Sequence, residues 1–185
     1  METNKLLSCV QKIKNIRKYK SELLTDEDKQ YLYKAYSYGH SSMGNFAREL
    51  LVVEQNTIRE KIVVSTLSPY MVKEKNNQSW IKDAPFLAVT LVDERRATAR
   101  VGDIGLKVAI MEAEGALQNL RLIAISLGIG TTIVREFDTK VLHDQLNFPW
   151  YIHPTAIITA GYNDNIQNIL PFLEQKEIIH KDEWT

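Results

Sequence analysis

The chain has 185 residues, 44% hydrophobic and 25% charged, the proportions of an ordinary globular protein long enough to bury its own core. Its 23 Lys and Arg balance 23 Asp and Glu, so no net field selects nucleic acid or an anionic membrane. A single cysteine, Cys9, excludes an internal disulfide framework and a multi-cysteine metal site.

The polar opening Met1-Glu-Thr-Asn-Lys5 and the lack of an apolar run near ~18 residues lead to the expectation of a cytoplasmic protein without leader or membrane span. Leu6, Leu7, Val10 and Ile13 fall near helical spacing and predict a first helix over 5–14, with Cys9 as a small core residue. A basic stretch, Lys12 to Lys20, follows. Thr25 with Asp26, Glu27 and Asp28 forms an N-cap with acids in the first turn, opening a helix to about Ser37. Residues 38–45 are rich in loop formers. Leu50 to Val53 predict a buried strand within 49–54, and Asn56 or Thr57 starts another helix through Ile62 and Val63.

Residues 73–79 are polar and predict a loop, and Phe86–Val92 is the clearest strand. From Gly102 to Leu127 there is no proline, and a helix of that length spans roughly 37 Å. Ile104, Val108, Met111, Gly115, Gln118 and Leu122 form one stripe on it. Ala109, Ala113, Ala116 and Leu120 form another, so the helix is central. Gly115 costs about 1 kcal/mol against alanine in a helix, a cost usually offset by a close neighbouring backbone. Gly128 fits as C-cap, Thr131–Val134 as a strand, Thr139–Leu146 as a short helix and Ala156–Ala160 as a strand ending at Gly161-Tyr162. Glu177 to His180 predicts an extended arm. One domain over residues 1–185 is expected, its tail running from about 163.

The alternation lacks the rhythm of parallel βαβ units and favours a three-layer α/β or α+β sandwich over a Rossmann fold. Dinucleotide, phosphate-loop, zinc-protease and serine-hydrolase signatures are absent. His40, His143, His153 and His180 are too dispersed to predict a metal cluster.

Seven separated pieces occur in a specific order: Ile16-Arg-Lys-Tyr19; Ser41-Ser-Met-Gly-Asn45; Gln78-Ser-Trp-Ile-Lys-Asp-Ala-Pro85; Ala116-Leu-Gln-Asn-Leu120; Ser126-Leu-Gly-Ile-Gly130; Phe137-Asp138; and Gly161-Tyr162. Together they resemble the nitroreductase family of FMN-dependent oxidoreductases over roughly residues 10–162, as a divergent member. The run from Met111 to Leu120 is also similar to dehydrogenases of peptide azoline rings. The resemblance implies an α+β, three-layer α/β/α fold with a mostly antiparallel central sheet and a long central helix. It also implies an intertwined homodimer with FMN at the interface, NAD(P)H as co-substrate and a small acceptor such as a nitroaromatic or quinone. Neither nucleic acid nor membrane is implied as a partner.

Carried over residue by residue, the resemblance implies that Arg17 steadies the pyrimidine edge of the flavin, where reduction places negative charge. Lys14 and Asn15 stand where phosphate and ribityl contacts are made, although Ile13 occupies one register that holds arginine. Ser42, Gly44 and Asn45 match a loop that approaches the cofactor. Asn77 and Gln78 match an amide facing the ring or ribityl edge. Arg135 and Glu136 replace the small or acidic residue and glycine that address the flavin N5 region. Either the loop there swings outward or the Glu136 side chain takes part of the flavin's volume. No basic residue follows in 167–174, Lys176 being the nearest, so FMN is expected to bind weakly or exchangeably. The alternatives are a nitroreductase-like protein that has lost effective flavin binding and serves a partner, and an azoline dehydrogenase.

Overall fold

The computed structural model describes residues 3–68, 77–163 and 178–184. The elements in chain order are α1 (Thr3–Lys12), α2 (Asp26–Ser37), β1 (Arg48–Val52), α3 (Asn56–Ser65), β2 (Phe86–Asp93), α4 (Glu94–Thr98), α5 (Ile104–Ser126), β3 (Ile129–Val134), α6 (Thr139–Leu146) and β4 (Ile152–Tyr162). Short 3-10 turns occupy Ser42–Gly44 and Ser79–Asp83.

The four strands form one antiparallel sheet in the order β1-β2-β4-β3, so β1 and β3 are its edges. Alternation along the two inner strands feeds two separate cores. Phe86, Ala88, Ile158 and Ala160 point to the face covered by α2 and α5, where Leu32, Leu117 and Leu120 are fully buried. Leu87, Val89 and Ile157 point to the other face, against Ile62 of α3 and Leu142 of α6. Each of the larger apolar side chains contributes roughly 1.5–3 kcal/mol through burial. The result is the expected three-layer α+β sandwich.

Local chemistry fixes several boundaries. The Thr25 hydroxyl accepts the Asp28 N–H at 3.1 Å, starting α2 where expected. Asp138 accepts the N–H groups of Lys140 and Val141 and starts α6 over the expected residues. After α5, Gly128 takes a left-handed φ of 75°, which a glycine adopts without steric cost.

Other elements differ from expectation. α1 lies two residues earlier than predicted and buries none of its residues; Leu6, Leu7 and Val10 are exposed and Cys9 is only half-buried, so this helix finds no core within its own chain. β1 is a half-buried edge strand rather than a buried one, because β2 covers only one side of it. The five-residue α4, nucleated by Asp93, is too short to carry a helical period and has no counterpart in the sequence reading. Gly115 has open space where a side chain would stand, whereas the close approach to α5 is made at Ala116, 2.4 Å from the position a Gly39 Cβ would take. Ile178–Trp184 forms turns and bends rather than an extended arm; the rest of that predicted arm lies outside the described residues, as do Lys176 and most of the loop expected over 73–79.

Candidate functional site

After α1 the backbone runs beside the open edge of β3. The Ile16 N–H donates to the Thr131 carbonyl at 2.9 Å, Asn15 bridges Thr131 in parallel register, and the Thr132 hydroxyl donates to the Ile16 carbonyl. Two glycines make room for this segment. A Cβ on Gly130 would stand 2.8 Å from Ile16 Cγ2, and one on Gly161 would stand 2.8 Å from Tyr19 Cβ. The Tyr19 hydroxyl meets Thr159 Oγ1 at 2.7 Å. Arg17 is thus anchored on both sides while its own side chain is exposed. Because Thr131 turns its carbonyl outward, strand alternation turns the backbone groups of Ile133 to the same open edge.

Arginines gather along this edge. Arg121, from the second half of α5, donates through Nε to Thr131 Oγ1 at 3.1 Å and through Nη2 to Asn15 Oδ1 at 3.4 Å. Burial lowers its pKa, and the like charge of Arg135 adds to the effect. Arg135 pairs with Glu114, two helical turns before Arg121, about 10 Å along the axis. Arg17 and Arg121 both act on Tyr19, whose phenol is pushed up by burial, opposed by hydrogen bonds from Thr132 and Thr159 and by the two guanidinium groups. Among the described residues only Glu114 pairs with any of these three arginines. Half-buried Lys14 adjoins Asn15. The sequence reading did not single out Arg121; its signal is a lone cation in the run from Leu120 to Ile125.

The other predicted residues divide into two groups. Arg135 and Glu136 directly follow β3, and the Glu136 carboxylate accepts the Arg135 backbone N–H at 3.2 Å. The Glu136 carbonyl accepts the Leu67 N–H at 2.8 Å, bringing the Gln78 turn alongside. The Gln78 amide, however, donates to the Leu67 carbonyl at 3.0 Å, its backbone N–H donates to Thr66 Oγ1 at 2.8 Å, and the residue is 5% exposed. This corrects the expectation for Gln78: a buried loop carbonyl needs a donor, and this amide supplies it. Asn77 is exposed beside it.

Ser42, Gly44 and Asn45 lie elsewhere. The Ser42 N–H donates to Glu112, Asn45 Nδ2 donates to the Ala97 carbonyl at 3.3 Å, and Gly44 takes a φ of 66°. Ser42 and Asn45, with Met43, Val101, Ile104 and Val108, border a 150 Å³ apolar cavity. At 100° per residue, Glu112 and Glu114 project to opposite flanks of the stripe formed by Ile104, Met111, Gly115 and Gln118. All four stripe residues are exposed. Contacts within the chain therefore do not join the Ser42 group to the arginine edge. Arg48 caps the end of α2 by donating to the carbonyls of Ser37 at 2.8 Å and His40 at 2.7 Å.

A 530 Å³ cavity, lined by Tyr33, Val53, Ile58 and Leu146 among others, lies along β1, at the opposite edge of the sheet. No helix among the described residues is long and apolar enough to cross a membrane.

The model of the nitroreductase family matches residues 10–162. The chain belongs to the nitroreductase family. This places it among oxidoreductases and accounts for the order of the seven sequence pieces. The same fold occurs in nitroreductase A from Vibrio parahaemolyticus, with a TM-score of 0.83 at 17% identity over 100% of this chain and 78% of that one. It also occurs in an NADPH:FMN oxidoreductase from Vibrio harveyi complexed with NAD+, with a TM-score of 0.82 at 18% identity over 97% and 78%. An FMN-dependent nitroreductase from Clostridium difficile gives 0.76 at 21% over 96% and 99%. These identities make it a divergent member of the nitroreductase family. Comparison with curated proteins returns no match.

Proposed function

We propose that the protein is an FMN-dependent oxidoreductase that passes hydride from NAD(P)H to a small acceptor, such as a nitroaromatic or a quinone. The observation that carries this reading is the β3 edge: outward backbone groups at Ile133, flanked by Arg17, Arg121 and Arg135 with one carboxylate pairing among them. Such an edge fits an electron-rich ring and an anionic tail. A flavin bound there would supply the group that accepts and donates hydride.

The roles of the chain's own residues follow from their positions. Arg17 places a guanidinium, held by the Ile16 and Tyr19 anchors, where negative charge develops on the pyrimidine edge. The Ile133 backbone offers a donor and an acceptor to the ring edge. Asn15 and Lys14 serve the polar tail. Ser42, Gly44 and Asn45 approach from a second copy of the chain. Support for a homodimer comes from the α5 stripe, where Ile104 is 62% and Met111 66% exposed, and from the uncovered α1. A symmetry mate on that stripe would offset the helix cost of Gly115 and bring the Ser42 loop of one chain towards the arginine edge of the other.

Glu136 favours a second reading, a nitroreductase-like binding protein without functional flavin, because its carboxylate sits on the strand-end N–H. Titration of purified protein with FMN, followed by visible absorption and by bleaching with NADH or NADPH without oxygen, separates the two. Saturable binding with bleaching supports the oxidoreductase; a colourless protein that ignores FMN supports the second reading. Stoichiometric flavin retained through dialysis would contradict the expectation of weak binding.

A further inference from the structure

We infer that Arg121, with Lys14 and Asn15, forms the seat for a phosphate monoester, and that this α5 arginine makes the protein select FMN over riboflavin. The inference rests on the flavin reading above and adds to it the residue that reads the phosphate.

Arg121 stands within a helix segment whose neighbours Leu120, Ala124 and Ile125 are buried, and its own side chain is half-buried. A guanidinium in that position is costly unless a counter-charge or a full set of acceptors receives it. The described residues supply two neutral acceptors, Thr131 Oγ1 and Asn15 Oδ1, and no carboxylate. The second turn before it does hold a carboxylate, Glu114, but that group is taken by Arg135. Arg135, of the same sign, acts on it, and Arg17 shares with it an influence on Tyr19. Nη1 has no hydrogen-bond partner among the described residues.

The two contacts do more than satisfy donors. They hold the guanidinium plane by Nε and Nη2, a fixed fork suited to the oxygens of a phosphate. Asn15 accepts from Arg121 through Oδ1, which leaves its amide N–H groups to donate to the same anion. Lys14 adds a positive charge at the adjoining residue. This seat lies at Thr131, four residues along β3 from Arg135, a separation of roughly 13 Å. The ring-facing end of the edge and the anion seat are therefore distinct places, as a ligand with a flat head and a charged tail requires.

The test compares FMN with riboflavin, which shares the ring and lacks the phosphate, by fluorescence titration of the full chain. The variants are Arg121→Gln and Arg121→Lys, with circular dichroism and thermal unfolding to establish folding. The wild type is expected to bind FMN at least about tenfold more tightly than riboflavin, and Arg121→Gln to lose roughly 10- to 100-fold in FMN affinity. Riboflavin affinity should stay within about twofold, since the ring end is untouched. Arg121→Lys keeps a point charge without the fork and should fall between. The FMN affinity of the wild type should drop with added salt more steeply than that of Arg121→Gln. Equal losses for both flavins in Arg121→Gln would mean that Arg121 merely holds Asn15 and Thr131 in place, and would overturn the proposal. A wild type that binds both flavins equally overturns the phosphate seat and leaves the flavin reading standing. A wild type that binds neither overturns both.

Discussion

The carboxylate of Glu136 accepts a hydrogen bond from the backbone N–H of its neighbour Arg135, directly after β3. A strand-end donor that would otherwise face a ligand is occupied by the chain itself. In the flavin reading, binding has to displace this contact. Glu136→Gly removes the competing carboxylate and its volume. It should raise FMN affinity about 3- to 10-fold, the range for an ordinary hydrogen bond rather than for one to a buried charge, because the site is solvated. Equilibrium titration of the variant checks this; unchanged or weaker binding would show that Glu136 lies clear of the ligand.

Arg17 provides the complementary case. It is exposed and makes no ion pair among the described residues, so Arg17→Ala should leave thermal stability within about 0.5 kcal/mol. Its effect should appear in the flavin. Removing a fixed cation from the edge where charge develops should slow reduction by NAD(P)H by about 10-fold or more. FMN and riboflavin should suffer alike, because both carry the ring. Stopped-flow bleaching measures the rate. A variant that reduces flavin at the wild-type rate removes Arg17 from the role assigned to it.

Legibility in the sequence followed the range of the causes. Where a few adjacent residues suffice, the reading was accurate: Thr25 and its acids open α2, Asp138 opens α6, Gly128 closes α5, and the apolar run from Phe86 gives β2. Where the environment decides, it was not. The run from Leu50 to Val53 is apolar enough for a buried strand, yet β1 lies at a sheet edge that only long-range pairing defines. The leucines of α1 pattern a core that the chain alone does not provide. At the site, Asn15, Arg17, Arg135 and Glu136 meet along one edge only because a parallel bridge joins Asn15 to Thr131 across 116 residues. That placement came from family resemblance, since no local pattern encodes it. Gln78 has the right chemistry for a ligand and is used instead to satisfy a loop carbonyl. Arg121 escaped notice because an arginine on a helix is ordinarily solvated.

The approach of α2 to α5 depends on Gly39. A methyl group there would sit 2.4 Å from Ala116 Cβ and 3.0 Å from its Cα, inside the contact distance of any two carbons. Gly39→Ala should therefore destabilise the fold by about 1–3 kcal/mol through overpacking. Ala116→Gly in the same chain removes the opposing methyl and should recover part of that loss, less about 1 kcal/mol for glycine in a helix. Urea midpoints of the two single variants and the double variant form the cycle. Strict additivity would show that the two positions do not collide.

Asp93 gives a pH dependence of definite sign. Its side chain is 7% exposed, pairs with Arg95 at 3.0 Å and Arg96 at 3.4 Å, and accepts their backbone N–H groups at the start of α4. The Arg95 hydrogen bond is the largest cause holding its carboxyl below the usual range, against an upward push from burial. A depressed folded-state pKa means that the unfolded chain takes up the proton first as pH falls. The stabilisation is complete above the unfolded value, about 3.9, and disappears as pH drops through the lower folded value. Asp93→Asn keeps a helix-capping side chain and removes only the charge. Both arginines are substantially exposed, so solvent screening limits the loss near neutrality to about 0.5–1 kcal/mol. That difference should stay constant from neutral pH down to about pH 5 and close towards zero in strong acid, once the wild-type carboxyl is protonated in both states. Urea unfolding of both proteins across this range measures it. A gap that persists undiminished in strong acid would place the effect in packing or in the cap rather than in the charge.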